Sequence, residues 1–148
     1  MGNPDSSLNK AIAIAAGVHQ NQRYFDDSPY ILHPIRVMLQ FDHAEKQTVA
    51  VLHDVIEKSD LTCETLRREG FEETVVAAVD FLSKRPGEDY PDYINRVLRN
   101  KTAVEIKVAD IEDKFETAEK HGIALAADKK KRFREALKKL KGSIRYHE

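Results

Sequence analysis

Wherever apolar residues cluster in this chain they recur every three to four positions, and that period restricts the fold more than any other feature. Leu8, Ile12, Ala15, Ala16 and His19 follow it, and they predict a helix over about Ser6 to Gln22 with Asp5 or Ser6 as N-cap. Ile35, Val37, Met38, Leu39 and Phe41 predict a short, largely buried helix with Pro34 in its first turn. A third helix is expected over about Ala44 to Lys58, with Val49, Leu52, Val55 and Ile56 on its apolar side. Leu61 to Glu69 reads as a short helix stopped by Gly70, and Glu72 to Lys84 as a helix broken by Arg85, Pro86 and Gly87. Helices over Tyr90 to Arg99, Thr102 to about Lys120 and Asp128 to Lys141 complete the set, with Gly122 as punctuation. The valines of Val75–Val79 do not make a strand, because their period is helical and their flanks are charged helix formers. No pair of runs is joined by a hairpin signal. The chain is therefore expected to be all-α, one domain over residues 1–148, with 128–148 a basic amphipathic helix and tail.

Composition narrows the function classes. The 148 residues are 41% hydrophobic and 33% charged, which suits a soluble globular domain with a core of its own. A net charge of -1 provides no global field for nucleic acid or an anionic membrane, and neither partner is expected. Cys63, the one cysteine, excludes an intrachain disulfide and agrees with a cytoplasmic location. Met1 to Lys10 carries no apolar signal core, and no apolar run approaches the roughly 20 residues of a membrane span.

Chemistry concentrates in Val51-Leu52-His53-Asp54-Val55-Ile56-Glu57. A His beside an Asp in apolar surroundings is costly to bury unless something pairs with it. Glu57 lies four residues after His53 and three after Asp54, so on a helix one turn presents an imidazole and two carboxylates. Alone, such a pair is more simply read as a buried His bonded to a carboxylate. Two further features favour a metal. His33 stands where the proline-flanked Pro29-Tyr30-Ile31-Leu32-His33-Pro34 meets a helix start, and Asp110 closes the apolar stretch Ile106-Lys107-Val108-Ala109-Asp110. Two His and two Asp form a mixed nitrogen and oxygen set, suited to Mn, Fe, Co or Zn rather than Ca.

The ordered blocks His19-x-x-Gln22, Pro29-Tyr30-Ile31-x-His33-Pro34, His53-Asp54-x-x-Glu57 and Lys107-x-Ala109-Asp110 resemble the HD-domain phosphohydrolases. The chain is most similar to the hydrolase domain of RelA/SpoT-type proteins and to the stand-alone small alarmone hydrolases, over about Ala11 to Lys114. Gly87-Glu88-Asp89-Tyr90 with Asp92-Tyr93-Ile94 fits the same family. The resemblance implies a helical bundle of about seven to eight helices holding one metal, usually Mn, through His33, His53, Asp54 and Asp110. It further implies removal of the 3′-pyrophosphate of guanosine tetra- or pentaphosphate, a nucleotide substrate.

Three positions depart from the family pattern. A Glu-Asp pair usually ends the His-Asp block, and here Glu57 is followed by Lys58. An Arg-Lys pair commonly precedes the Pro-Tyr-Ile block, where an ungapped reading finds Tyr24 and Phe25, with Arg23 as partial compensation if the loop is shortened. The Asn expected four residues after the last ligand is Lys114. Lys58 and Lys114 each follow a candidate ligand by four, so each is expected on that ligand's helical face, either to meet phosphate or to pair with its own aspartate. Glu57 is the candidate catalytic residue, and Gln22, Arg23, Lys58, Lys107 and Lys114 are candidate substrate contacts. The alternative is a domain that binds a nucleotide without cleaving it, as a sensor or regulator.

His19 is expected to support the site rather than ligate. Tyr93 and Arg96, one turn apart, are open between a ligand contact and a solvated pair. Cys63 is expected to pack. In the basic tail, Phe133, Leu137, Leu140 and Ile144 should dock one face on the body, leaving the lysines as a solvated outer face.

Overall fold

The computed structural model describes residues 4–147, and the side chains of 6–144. Among these residues eight helices follow one another: α1 (Pro4–His19), α2 (Leu32–Met38), α3 (Ala44–Leu52), α4 (Cys63–Arg68), α5 (Glu73–Leu82), α6 (Tyr90–Val97), α7 (Lys101–His121) and α8 (Ala127–His147). No strand occurs among the described residues beyond one isolated bridge between Arg23 and Pro29. The all-α expectation holds. The first helix begins at Pro4, so Ser6 lies inside it rather than capping it, and the Asp5 side chain lies outside the described ones.

Two helices organise the rest. α3 packs against α1, α2, α5 and α7, and α7 against α2, α3, α5, α6 and α8. Their shared core includes Leu52, Leu66, Leu82, Ile94, Ile106, Ile111 and Leu140. Each such side chain contributes roughly 2–3 kcal/mol of burial. α8 docks through Phe133, Ala136 and Leu140, with Leu137 and Ile144 packed at the edge, as its apolar period requires.

The caps follow local chemistry. Thr62 and Thr65 form a reciprocal capping box before α4. Asp89 and Asn100 accept the backbone N–H of Asp92 and Ala103 at the starts of α6 and α7. Gly70 at φ 93° and Gly122 at φ 62° turn the chain out of α4 and α7 in the left-handed region.

One boundary differs from expectation in a way that shapes the site. α3 stops at Leu52 instead of running to Lys58. The Ala50 carbonyl accepts both the His53 backbone N–H at 3.3 Å and the His53 Nδ1 at 2.6 Å. That carbonyl would otherwise receive the N–H of Asp54 in the α-helical ladder. With it occupied, residues 53–58 fold as successive turns, including Val55 N–H to Leu52 O at 3.1 Å and Lys58 N–H to Asp54 O at 3.0 Å.

Candidate metal centre

The break in α3 aims His53 and Asp54 at α2 and α7. His33, His53, Asp54 and Asp110 each present one ligand atom, all within 4.8 Å of one another. His33, His53 and Asp110 are buried, and Asp54 is 14% exposed, so the cluster opens on the Asp54 side.

Hydrogen bonds at the far side of each imidazole fix its tautomer. His53 Nδ1 meets the Ala50 carbonyl, which can only accept, so Nδ1 carries a proton. His33 Nδ1 lies 2.7 Å from Asp113 Oδ2. The Asp113 carboxyl is disfavoured by burial, yet hydrogen bonds from His33 and Arg36 hold it down at about 2, so it too accepts. The Nε2 atoms of both rings therefore carry lone pairs when the rings are neutral. Both are buried without a hydrogen-bond partner. They nevertheless face carboxylate oxygens: His33 Nε2 lies 2.8 Å from Asp110 Oδ1, and His53 Nε2 lies 3.1 Å from Asp54 Oδ2 and 3.4 Å from Asp110 Oδ1.

Lone pairs opposed to carboxylates at such distances require a positive charge between them. A proton can serve: burial alone would lower the His53 pKa, but Asp54 and Asp110 raise it to about 10. A divalent cation serves as well, and the donor set is that of a mixed nitrogen and oxygen site. The residues fit a metal ion.

Supporting groups hold this arrangement. Asp113 ties down His33, and is itself gripped by Arg36 Nε and Nη2 at 2.7 and 3.0 Å and by the Tyr24 hydroxyl at 3.2 Å. Tyr24 also stacks on His33, with centroids 4.5 Å apart and planes 13° apart. The Tyr30 hydroxyl donates to Asp54 Oδ2 at 2.5 Å. Carboxylate–histidine pairs of the His33–Asp113 kind orient metal-binding rings in general. Sequence reasoning missed Asp113, although its place one turn after Asp110 on an apolar helix was a usable signal.

The remaining candidates fall into two sets. Lys107, buried on α7, donates to Asp110 Oδ2 at 2.8 Å, and Lys114 reaches Oδ1 and Oδ2 at 2.9 and 3.0 Å. Lys114 thus pairs with the aspartate one turn before it. Lys58 does not share a helical face with Asp54, because the helix has ended. Its Nζ instead sits 5.2 Å from the centroid of the Tyr30 ring, at the open side of the cluster. The Glu57 carboxylate accepts the Lys84 N–H at 2.5 Å. Although the residue as a whole is exposed, its carboxyl sits among protein atoms, and desolvation together with Asp54 raises its pKa against the Lys84 N–H.

Gln22 is engaged at both ends of its amide, accepting from His19 Nδ1 at 2.7 Å and donating to the Lys58 carbonyl at 2.9 Å. It clamps the end of α1 to the turns after His53. Arg23 is exposed and, among the described residues, its side chain reaches only the Asp27 carbonyl, at 3.4 Å. Tyr93 is buried with its hydroxyl on the Leu82 carbonyl at 2.6 Å. Arg96 binds Glu88 and the carbonyls of Asp80, Phe81 and Ser83. Both therefore hold the α5–α6 connection, and the solvated pair is ruled out. Cys63 packs at the core edge with its Sγ near Asp80.

No family model matches the chain. A guanosine-3′,5′-bis(diphosphate) 3′-pyrophosphohydrolase of Vibrio cholerae is 30% identical over 142 residues, covering 85% of this chain and 19% of that protein. The protein of the same description from Borreliella burgdorferi is 37% identical over 82 residues, 53% of this chain and 12% of that one. This chain therefore spans less than a fifth of the length of these curated relatives. Among solved structures, a metazoan ortholog of SpoT, described as hydrolysing ppGpp, superposes with a TM-score of 0.75 at 20% identity, over 98% of this chain and 89% of that one. The fold is thus the all-α fold of a SpoT-type hydrolase, and the sequence is similar to ppGpp 3′-pyrophosphohydrolases. No described helix is long and apolar enough to cross a membrane.

Proposed function

We propose, for a chain with the fold of a SpoT ortholog and sequence similarity to ppGpp 3′-pyrophosphohydrolases, that it is a metal-dependent phosphohydrolase of the same kind. The observation that carries this reading is the pair of bare, buried imidazole Nε2 atoms facing Asp54 and Asp110. His33, His53, Asp54 and Asp110 would hold one divalent ion, with Mn the first choice for this ligand set. Such an ion supplies a water of lowered pKa and positive charge for phosphoryl oxygens.

This chain's own residues do the rest. Asp113 and the Ala50 carbonyl fix the two rings, and Tyr30 fixes Asp54. Glu57, whose carboxyl is raised in pKa by desolvation and Asp54, is the residue we assign to take up and return a proton. Lys107 and Lys114 offset the charge of Asp110 and supply ammonium groups for phosphate oxygens. Guanosine tetraphosphate is the leading substrate, cleaved at the 3′-pyrophosphate, with the cytoplasm as the proposed location.

The test is release of pyrophosphate or phosphate from guanosine tetraphosphate and a nucleotide panel, with Mn added or chelated. Mn-dependent release abolished by chelation is expected. Stoichiometric Mn uptake without release from any compound would sink the enzyme reading. One observation favours a second reading, a nucleotide sensor without turnover: Lys114 spans both oxygens of Asp110, and Lys58 stands at the mouth where the family has an acid. Activity that appears in Lys58→Asp from an inert parent would establish that reading.

A further inference from the structure

The loop before α2 brings no cation to the metal centre. Arg23 points to the Asp27 carbonyl, Tyr24 is buried on His33 and Asp113, and the Phe25 ring rests on Tyr24 at 4.6 Å. Cations gather on the opposite side. Lys114 Nζ lies 5.5 Å and Lys129 Nζ 5.8 Å from the centroid of one ring, Phe133 on α8. The Tyr90 ring, 6.0 Å from that of Phe133, carries Arg132 with its Cζ 5.6 Å away. Lys114 in turn touches Asp110, so this group adjoins the metal centre.

Lys114 has a carboxylate partner, but Lys58, Lys129 and Arg132 pair with none among the described residues. Cations on helices are usually solvated singly, but here they crowd. Burial lowers the Lys129 pKa, and Lys114, Arg132 and Lys58 lower it further. Beside them, the Tyr90 hydroxyl is buried without a hydrogen-bond partner among the described residues. An orphaned buried hydroxyl is uncommon and calls for a water or a ligand.

We propose that Lys58 together with Lys129, Arg132 and Tyr90 on the α6 and α8 side forms an anion subsite next to the metal centre, selective for compounds carrying two or more linked phosphates. A phosphate held at the metal centre would leave its linked neighbour among these cations, and the Phe133, Tyr90 and Tyr30 rings hold Lys129, Arg132 and Lys58 in place. The subsite gives a site whose α1–α2 loop turns Arg23 away onto the Asp27 carbonyl a means of recognising a polyphosphate. It deepens the phosphohydrolase reading in naming the ligand class, but its test does not require a metal.

Metal-stripped full-length protein is titrated calorimetrically with inorganic tripolyphosphate and with orthophosphate. Tripolyphosphate is expected to bind at least about tenfold more tightly, as befits two or more charge-assisted contacts against one. Lys129→Gln with Arg132→Gln should weaken tripolyphosphate by about tenfold or more, whereas Arg134→Gln with Lys138→Gln, the same charge change at exposed positions across α8 from them, should change it by less than about twofold. Equal losses in the two double variants, no loss in either, or no preference over orthophosphate would overturn the subsite. The single variants Lys129→Gln and Arg132→Gln, each checked for an unchanged helical melt, carry the test if the double variant undocks α8. Mn uptake by unmodified protein is measured separately: its failure overturns the metal-centre reading alone, while failure of tripolyphosphate to bind overturns the subsite alone.

Discussion

The floor of the candidate site and its α8 wall are built on opposite terms. On the floor, the two α7 aspartates are each held by more than one donor: Asp110 receives Lys107 and Lys114, and Asp113 receives His33, Arg36 and Tyr24. On the wall, Lys58, Lys129 and Arg132 rest on aromatic faces and share no carboxylate among the described residues. The floor is held by interactions that already exist in the folded protein, and changing any member disturbs several others. The wall retains unspent interaction capacity for an anion. A buried ion-pair network resists rearrangement, whereas cations half in solvent cost little to redirect.

The largest test of this contrast is Asp110→Asn. It leaves the Lys107 ammonium buried without its counter-ion, so unfolding free energy should fall by about 3–5 kcal/mol and metal content to zero. Urea unfolding and elemental analysis would show both. A variant as stable as its parent would break the picture of a mutually dependent floor. Next is Asp113→Asn, which frees His33 Nδ1 and should weaken metal binding by roughly 10–100-fold while the helical fold persists. Calorimetric metal titration reads it, and an unchanged Kd would remove Asp113 from the orienting role. Lys114→Met should act with the opposite sign. Removing the ammonium from Asp110 while keeping the alkyl stem on Phe133 should tighten metal binding by about fivefold, seen as a larger thermal shift on adding Mn. The smallest effect lies at the edge of the site. Arg96 lowers the Glu88 carboxyl from its ordinary 4.5 to about 2, aided by the Arg85 N–H. Because the folded-state value is depressed, the bond's stabilisation is complete above about pH 4.5 and is lost as pH falls toward 2. With Glu88 partly exposed, that amounts to about 0.5–1 kcal/mol. Melting curves of Glu88→Gln and its parent should therefore differ at neutral pH and converge in acid.

The helices were legible because burial of a 3.6-residue stripe is a local property of sequence. Their order, the stops at Gly70 and Gly122, and the docking of α8 through Phe133 and Leu140 all agree with the pattern. The four clustered residues stood in short motifs that a reader could find. What escaped depends on distances across the chain or on one atom's competition for another. Asp113 acquires its role from His33, 80 residues earlier. The early end of α3 depends on which donor reaches the Ala50 carbonyl, and propensity does not register a side chain that caps its own helix. The rule that residues four apart share a face succeeded for Lys114, inside α7, and failed for Lys58, beyond the end of α3.

The bond from the His53 ring to the Ala50 carbonyl makes the last turn of α3 and the aim of a ligand one event. The His-Asp pair is therefore not a cassette that can be copied into the middle of any helix. Transplanted there, its aspartate would follow the spiral away from the imidazole, and the backbone would have no reason to stop. A designer grafting this centre onto another bundle has to carry over a helix terminus with the two side chains.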